Sequence, residues 1–261
     1  MKQKGSFFYL GVTILVLSLS ATAPVAIAGT AGQSTTFATI LVYHRFGPLA
    51  ADNMTVTTAV FASQLKYLHE HGYNIVPLQD VVNFAAGRGE LPHFAIAITA
   101  DDGHRTVFTD MKPLVERYRI PVTLFIYPSA ISNASYAMTW EQLAELKATG
   151  LFSVESHTYW HPNFRIERRR LSAEAYATFV NGQLIKSRQV LERRLGSQVT
   201  MLSWPFGICD DELIASATES GYVAGFTIER RKVSRGDNVM ALPRFIVTNR
   251  DLGKRFENLL P

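Results

Sequence analysis

Residues 94–103 read FAIAITADDG, a short apolar run that ends in two adjacent carboxylates, Asp101 and Asp102, and a glycine. A run of this length without a helical period, stopped by a turn residue, predicts a strand buried on both faces, as strands of a parallel sheet are. The exit of such a strand is where βα folds collect ligands. Side chains alternate along a strand, so one carboxylate can face a cation while its neighbour addresses a water beside it, and Gly103 permits the sharp turn that follows. The plain structural alternative is an Asp-Gly turn that caps a helix starting near Thr106.

Outward from this stretch, comparable apolar runs occupy residues 37–43, 122–127, 152–156, 199–204, 223–227 and 245–248. Helical patterns lie between them. Thr57 or Thr58 can cap a helix whose Phe61, Leu65 and Leu68 recur on one face, and Gly72 stops it. Further helices are predicted over 106–118, 139–149, 172–195 and 210–220, with Pro113 a mark of a late start or a kink in the first of these. Strands alternating with helices imply a parallel sheet with crossover helices, and either a barrel or an open doubly wound sheet satisfies the pattern.

The chain has 261 residues, 47% hydrophobic and 18% charged, which excludes the disordered and low-complexity classes and leaves ample material for one core. A formal charge of +4 is too small a surplus to argue for a phosphate backbone, so no nucleic-acid partner is expected. The lone Cys209 forbids an internal disulfide and is most simply small buried filler. Lys2 and Lys4 precede an apolar segment over 7–20, and small-residue patterns close at Ala23 and Ala28. This reads as an export signal cut after Ala28, followed by a short linker over 29–36 and one domain over 37–261. The alternative is an uncleaved anchor, which Pro24 argues against by interrupting the pattern. Either way the folded part works outside the cytoplasm: secreted, periplasmic or at the cell surface. Asn53 and Asn133 begin glycosylation sequons.

A second polar exit follows the run over 152–156: Ser156-His157-Thr158-Tyr159-Trp160-His161-Pro162. Two imidazoles four apart can meet one ion if the backbone makes a helix-like turn, which Pro162 keeps from continuing. With one carboxylate they form a facial set with open positions for water, suited to Zn²⁺ or another divalent first-row metal ion.

The segments Thr99-Ala100-Asp101-Asp102-Gly103 and Ser156 to Pro162 resemble the first two motifs of the polysaccharide deacetylases, the NodB-homology or carbohydrate esterase family four. Ser203-Trp204-Pro205-Phe206-Gly207 is similar to the third. The resemblance implies a distorted (β/α) barrel of about seven parallel strands. It implies Asp101 as general base, Asp102, His157 and His161 as metal ligands, the Phe206 amide as an oxyanion donor, and Trp204 and Pro205 beside the substrate. Thr158 and Arg244 are expected to support these groups from behind. Arg244 is the candidate for a role left open where Ser203 replaces the arginine that orients the aspartate in many members, with a simple salt bridge as the alternative. No histidine follows His161, although the family usually carries its catalytic histidine near the C-terminus. Tyr43-His44-Arg45-Phe46-Gly47-Pro48 resembles the rearranged subgroup that includes poly-N-acetylglucosamine deacetylases, which implies His44 as general acid; a histidine capping a turn is the structural alternative. His104 is left without a role.

The implied activity is removal of N-acetyl groups from an acetylated amino-sugar polysaccharide such as poly-N-acetylglucosamine, a chitin-like polymer or peptidoglycan. O-acetyl ester cleavage on a glycan is one alternative. A non-catalytic glycan-binding module is another, motivated by the serine at position 203. No Gly-x-Ser-x-Gly elbow occurs, which disfavours a serine hydrolase. Tyr159, Trp160, Trp204 and Phe206 are candidates to stack on sugar, with core packing as the default. The basic runs at Arg168–Arg170, Arg193-Arg194 and Arg230-Arg231-Lys232 fit solvated helix faces first, and an anionic wall or membrane surface second.

Overall fold

In the computed structural model the described residues are 1, 2, 4, 5 and 37–261. The predicted export signal and linker therefore lie almost wholly outside the described residues. The chain divides into two compact units, Met1–Gly32 and Gln33–Pro261, and all that follows concerns the second. Among the described residues no helix is long and apolar enough to cross a membrane.

Seven parallel strands arise from the seven apolar runs: Phe37–Tyr43 (β1), Ala95–Asp101 (β2), Val122–Ile126 (β3), Phe152–Ser156 (β4), Met201–Ser203 (β5), Ala224–Phe226 (β6) and Phe245–Ile246 (β7). From β1 to β6 each strand pairs with the next, and β7 pairs with the other edge of β1. Alternation gives the curled sheet two cores. Leu41, Ile98 and Leu124 belong to the cluster packed under most of the helices. Ile40, Ala97 and Phe125 belong to a second cluster that also takes Phe226, Leu242 and the buried face of helix Leu78–Ala85. The register Asp101↔Phe125 places the last residue of β2 on this second face.

One segment closes the ring. Leu242 exchanges backbone hydrogen bonds with β6 and its exit, donating to Gly225 O and accepting from Thr227 N, both at 2.8 Å, while three residues later Phe245 pairs with Leu41 of β1. Arg244 thus enters between the two ends of the sheet, a position that only the closed barrel creates. The expected distorted barrel is the observed fold.

The helices begin where their caps predict. Thr57, Thr139, Ser172 and Asp210 each accept a backbone N–H at the third position of the helix they start, and Thr139 forms a full capping box with Gln142. The segment after Asp102-Gly103 opens as a wide π-type turn over Val107–Met111 before Lys112–Tyr118 continues as α-helix with Pro113 in its first turn, which is the late start that the proline foreshadowed. Helices Leu78–Ala85 and Phe164–Arg170 were not expected, being too short to show a clear period. Arg168–Arg170 fall in the last turn of the latter, exposed and partly paired, as solvated faces are.

Gly225 in β6 marks the tightest packing near the closure: a Cβ there would stand 2.3 Å from Met240 O and 2.6 Å from Trp204 Nε1, atoms that are themselves hydrogen-bonded at 2.9 Å. Gly225→Ala is expected to destabilise the protein by about 1–3 kcal/mol, the usual range for overpacking. A lowered urea midpoint at unchanged slope is the signature; an unchanged midpoint would show that the closure segment shifts freely.

Candidate active site

The strand exits converge. Asp101 ends β2 with its carboxylate buried at 3% exposure. Arg244 grips it with both terminal nitrogens, Nη1 to Oδ1 at 2.9 Å and Nη2 to Oδ2 at 2.7 Å. The guanidinium also donates to Thr99 Oγ1, Ser203 Oγ and Thr227 O, so its five N–H groups meet five acceptors. Its carbon lies 5.3 Å from the ring centre of Phe125 and 5.9 Å from that of Phe226. Ser203 Oγ adds a third bond to the carboxylate at 2.8 Å. Burial alone would push Asp101 toward the neutral acid, but the Arg244 charge outweighs it and holds the group well below the usual carboxylate range. In this structure Arg244 and Ser203 together hold the Asp101 carboxylate.

Asp102 turns away from its neighbour because its backbone is left-handed, φ 74°, and Gly103 follows at φ 77° with Ile126 and Ile131 standing 3.0 and 3.1 Å from where a Cβ would be. His157 leaves β4 buried, and its Nδ1 lies 2.7 Å from the Ser203 carbonyl. A carbonyl only accepts, so Nδ1 carries the proton and Nε2 keeps a free lone pair. That Nε2 is 3.6 Å from Asp102 Oδ1, and His161 Nε2 is 3.8 Å from the same oxygen. One ligand atom from each of Asp102, His157 and His161 lies within 4.8 Å of the other two. Burial first, and then the neighbouring His157, push His161 down to about 4, so its imidazole presents a lone pair. A carboxylate oxygen and two neutral imidazole nitrogens at this spacing fit a divalent first-row ion.

The two histidines do not meet through the expected helix-like turn. Thr158 and His161 both adopt left-handed conformations, φ 62° and 63°, and the Thr158 hydroxyl accepts the His161 N–H at 3.2 Å. This reversed loop is what folds the second imidazole back over the first, their ring centres 4.5 Å apart. Thr158 is fully buried beneath this turn.

His44 leaves β1 with a buried Nδ1 that has no hydrogen-bond partner. Burial lowers its pKa, while the charges of Asp101 and Asp102 work in the other direction. Phe206 follows at the β5 exit in a left-handed conformation, φ 56°, half exposed, with its ring centre 4.7 Å from that of His161. Trp204 requires a correction: it is fully buried, donates Nε1–H to Met240 O and packs in the core, so it cannot stack on a sugar. Pro205 is likewise buried. Trp160 is exposed and packs on Phe179, and Tyr159 lies under Lys186. Sequence reasoning missed Tyr127 and Tyr136. Tyr127 stands at a strand exit, its ring 5.5 Å from His161, and that position was the available signal.

A model of the family described as polysaccharide deacetylase matches residues 88–225, more than half of the chain. The chain belongs to the polysaccharide deacetylase family. It is 24% identical over 201 residues to the poly-β-1,6-N-acetyl-D-glucosamine N-deacetylase of Staphylococcus epidermidis, covering 76% of this chain and 69% of that protein. To the protein of the same name from Staphylococcus aureus it is 24% identical over 213 residues, covering 80% and 71%. Among solved structures, IcaB from Ammonifex degensii superposes with a TM-score of 0.74 at 24% identity over 84% of this chain and 94% of its own. The Streptococcus pyogenes deacetylase PplD in complex with acetate gives 0.76 at 19% identity, covering 88% and all of its chain. The structural likenesses carry the fold. Neither His44 nor Arg244 falls inside the matched family segment.

Removing Arg244 strands a buried charge, and Arg244→Met is expected to cost about 3–5 kcal/mol. In an Asp101→Asn background the same change is expected to cost less than half as much, because the charge it balances is gone. Urea unfolding of the four proteins tests this, and equal costs in both backgrounds would mean that Arg244 stabilises by packing alone.

Proposed function

We propose that this chain is a metal-dependent hydrolase that removes N-acetyl groups from a β-linked N-acetylglucosamine polymer outside the cytoplasm. The observation that carries the reading is the pairing of two unlike carboxylates: Asp101 locked as an anion by Arg244, and Asp102 turned out to join two imidazoles with free lone pairs. Membership of the family and the printed activity of the staphylococcal relatives support the polymer class.

Asp102, His157 and His161 would hold the ion. A divalent ion there supplies Lewis-acid polarisation of the acetyl carbonyl and makes the attacking water more acidic. Asp101 orients that water and takes its proton. Its depressed pKa keeps it ionised throughout the working range and also makes its hold on the proton weak, so the proton passes on rather than staying. The Phe206 amide has no acceptor among the described residues and supplies a hydrogen bond to the oxygen that gains charge as the carbonyl is attacked. His44 gives a proton to the departing nitrogen, without which an amine leaves poorly. The C–N bond breaks, acetate leaves, and the sugar keeps a free amine.

Asp101→Asn and His44→Ala are each expected to lower acetate release from N-acetylglucosamine oligomers by about 10²–10⁴-fold with bound metal retained. His157→Ala is expected to lose the metal, read by elemental analysis, and chelator is expected to abolish turnover in the parent protein. Full activity of His44→Ala removes that residue from the chemistry, and faster cleavage of O-acetyl than N-acetyl oligomers moves the activity to esters. Export is part of the proposal and rests on the apolar segment over 7–20. N-terminal sequencing of the protein recovered from outside the cytoplasm is expected to begin at Gly29, and an intact Met1 would instead indicate an anchor.

A further inference from the structure

The two imidazoles of the candidate metal cluster are aimed by different means. His157 is tied at Nδ1 to the Ser203 carbonyl, whereas the His161 ring makes no hydrogen bond among the described residues, its backbone N–H alone being held, by Thr158 Oγ1. Its aim therefore depends on the backbone of residues 158–161, whose first and last members are both left-handed. Non-glycine residues keep such conformations only where the surroundings impose them. We propose that Gln183 is the positioning residue that imposes this one: it fastens the loop to helix Ala173–Leu195, keeps His161 over the cluster, and thereby sets the affinity of the site for its ion. The proposal rests on the metal-binding reading of Asp102, His157 and His161 and adds to it the group that holds the second imidazole in place.

The loop amides carry the first argument. Thr158, Trp160 and His161 each donate to a side chain: Ser156 Oγ at 3.2 Å, Gln183 Oε1 at 3.1 Å and Thr158 Oγ1 at 3.2 Å. Ser156 and Thr158 lie in the loop or beside it and move with it. Gln183 alone reaches in from another element, 23 residues further along the chain.

The second argument is the face that the helix turns to the loop. Phe179, Gln183, Lys186 and Ser187 recur at helical spacing, and each meets the loop or the strand end that it leaves. The Phe179 and Trp160 ring centres are 5.9 Å apart, Lys186 Nζ stands 3.9 Å from the Tyr159 ring centre, and Ser187 Oγ is 2.8 Å from Ser156 Oγ. From the other side the Tyr159 carbonyl accepts the Ser129 N–H at 3.1 Å.

The third argument is the cost of the residue itself. The buried residues of this helix are Tyr176, Val180, Gln183, Leu184, Ser187 and Leu191. A stripe that faces a core calls for apolar side chains, and Gln183 and Ser187 interrupt this one four residues apart, at the level of the loop. Burying an amide costs free energy unless it is hydrogen-bonded, and a glutamine loses more rotamer freedom than a leucine. Packing alone is better served by an aliphatic residue, whereas a fixed acceptor for the Trp160 N–H is not, and buried polar contacts of this kind select one arrangement among several.

The test uses Co²⁺ alone as probe, added to the metal-free full chain and followed by calorimetry and by its visible absorption. Gln183→Met keeps the bulk and loses the acceptor, and it is expected to weaken Co²⁺ binding by about 10–100-fold, the usual cost of removing a group that orients a metal-binding side chain. Gln183→Glu keeps an acceptor oxygen and is expected to stay within about threefold of the parent. The absorption bands of the bound ion are expected to shift in the Met variant and not in the Glu variant, as water takes the place of the displaced imidazole. A residue that only packs would lower the urea midpoint of the metal-free protein and leave Co²⁺ affinity and spectrum unchanged. Gln183→Asn, whose shorter arm does not reach Trp160, serves the same purpose if the Met variant does not fold. A Co²⁺ affinity within about twofold of the parent in a folded Met or Asn variant overturns the positioning role, while binding by the parent leaves the metal reading standing. A parent protein that binds no Co²⁺ removes both.

Discussion

The buried pair of Asp101 and Arg244 is the constraint to which the rest of the site answers. A carboxylate at the centre of a barrel loses its hydration, and in this setting only a fully satisfied guanidinium returns enough to keep it charged. All five donors of Arg244 find acceptors, two of them on Asp101, and the cation lies against two phenylalanine rings. Ser203 ties this pair to the imidazoles, since its hydroxyl bonds Asp101 while its carbonyl holds His157 Nδ1. One residue thereby sets the orientation of both the anion and the first histidine.

Around that rigid centre the backbone is unusually strained. Of seven non-glycine residues with positive φ among the described residues, four are Asp102, Thr158, His161 and Phe206. Such conformations cost of order 1–3 kcal/mol each and persist only where surrounding structure imposes them. Here the strain does specific work on direction: it separates Asp102 from Asp101, brings His161 back over His157, and turns Phe206 out beside His161. The closed barrel and its two cores supply the stability that tolerates this.

Much of the fold was legible because the seven apolar runs are short, bounded and interrupted by capped helices, signals that depend only on neighbours in sequence. The candidate metal cluster was legible from the same cause, since Asp102, His157 and His161 lie in two compact motifs at strand exits. Arg244 could be named as a candidate but its partner could not, because the contact exists only after the closure segment joins β6 to β1. Trp204 misled because an indole next to a motif residue reads equally as rim or core, and the deciding fact, a hydrogen bond to Met240 O, comes from a segment 36 residues away. The reversed loop at Thr158 was hidden for a similar reason: non-glycine left-handed residues are set by packing and not by propensity.

The order in which the chain emerges gives the closure segment a further importance. Asp101 waits 143 residues for the arginine that neutralises it, and the Leu41-Val42 part of β1 waits for Phe245 and Ile246 to pair with its other edge. A nascent or clipped chain that stops before residue 242 holds all three residues of the candidate metal cluster and yet carries a buried anion without its arginine in an open-sided sheet. Such a fragment is poorly placed to bind metal or resist proteases, so the candidate site matures only once the closure segment is in place.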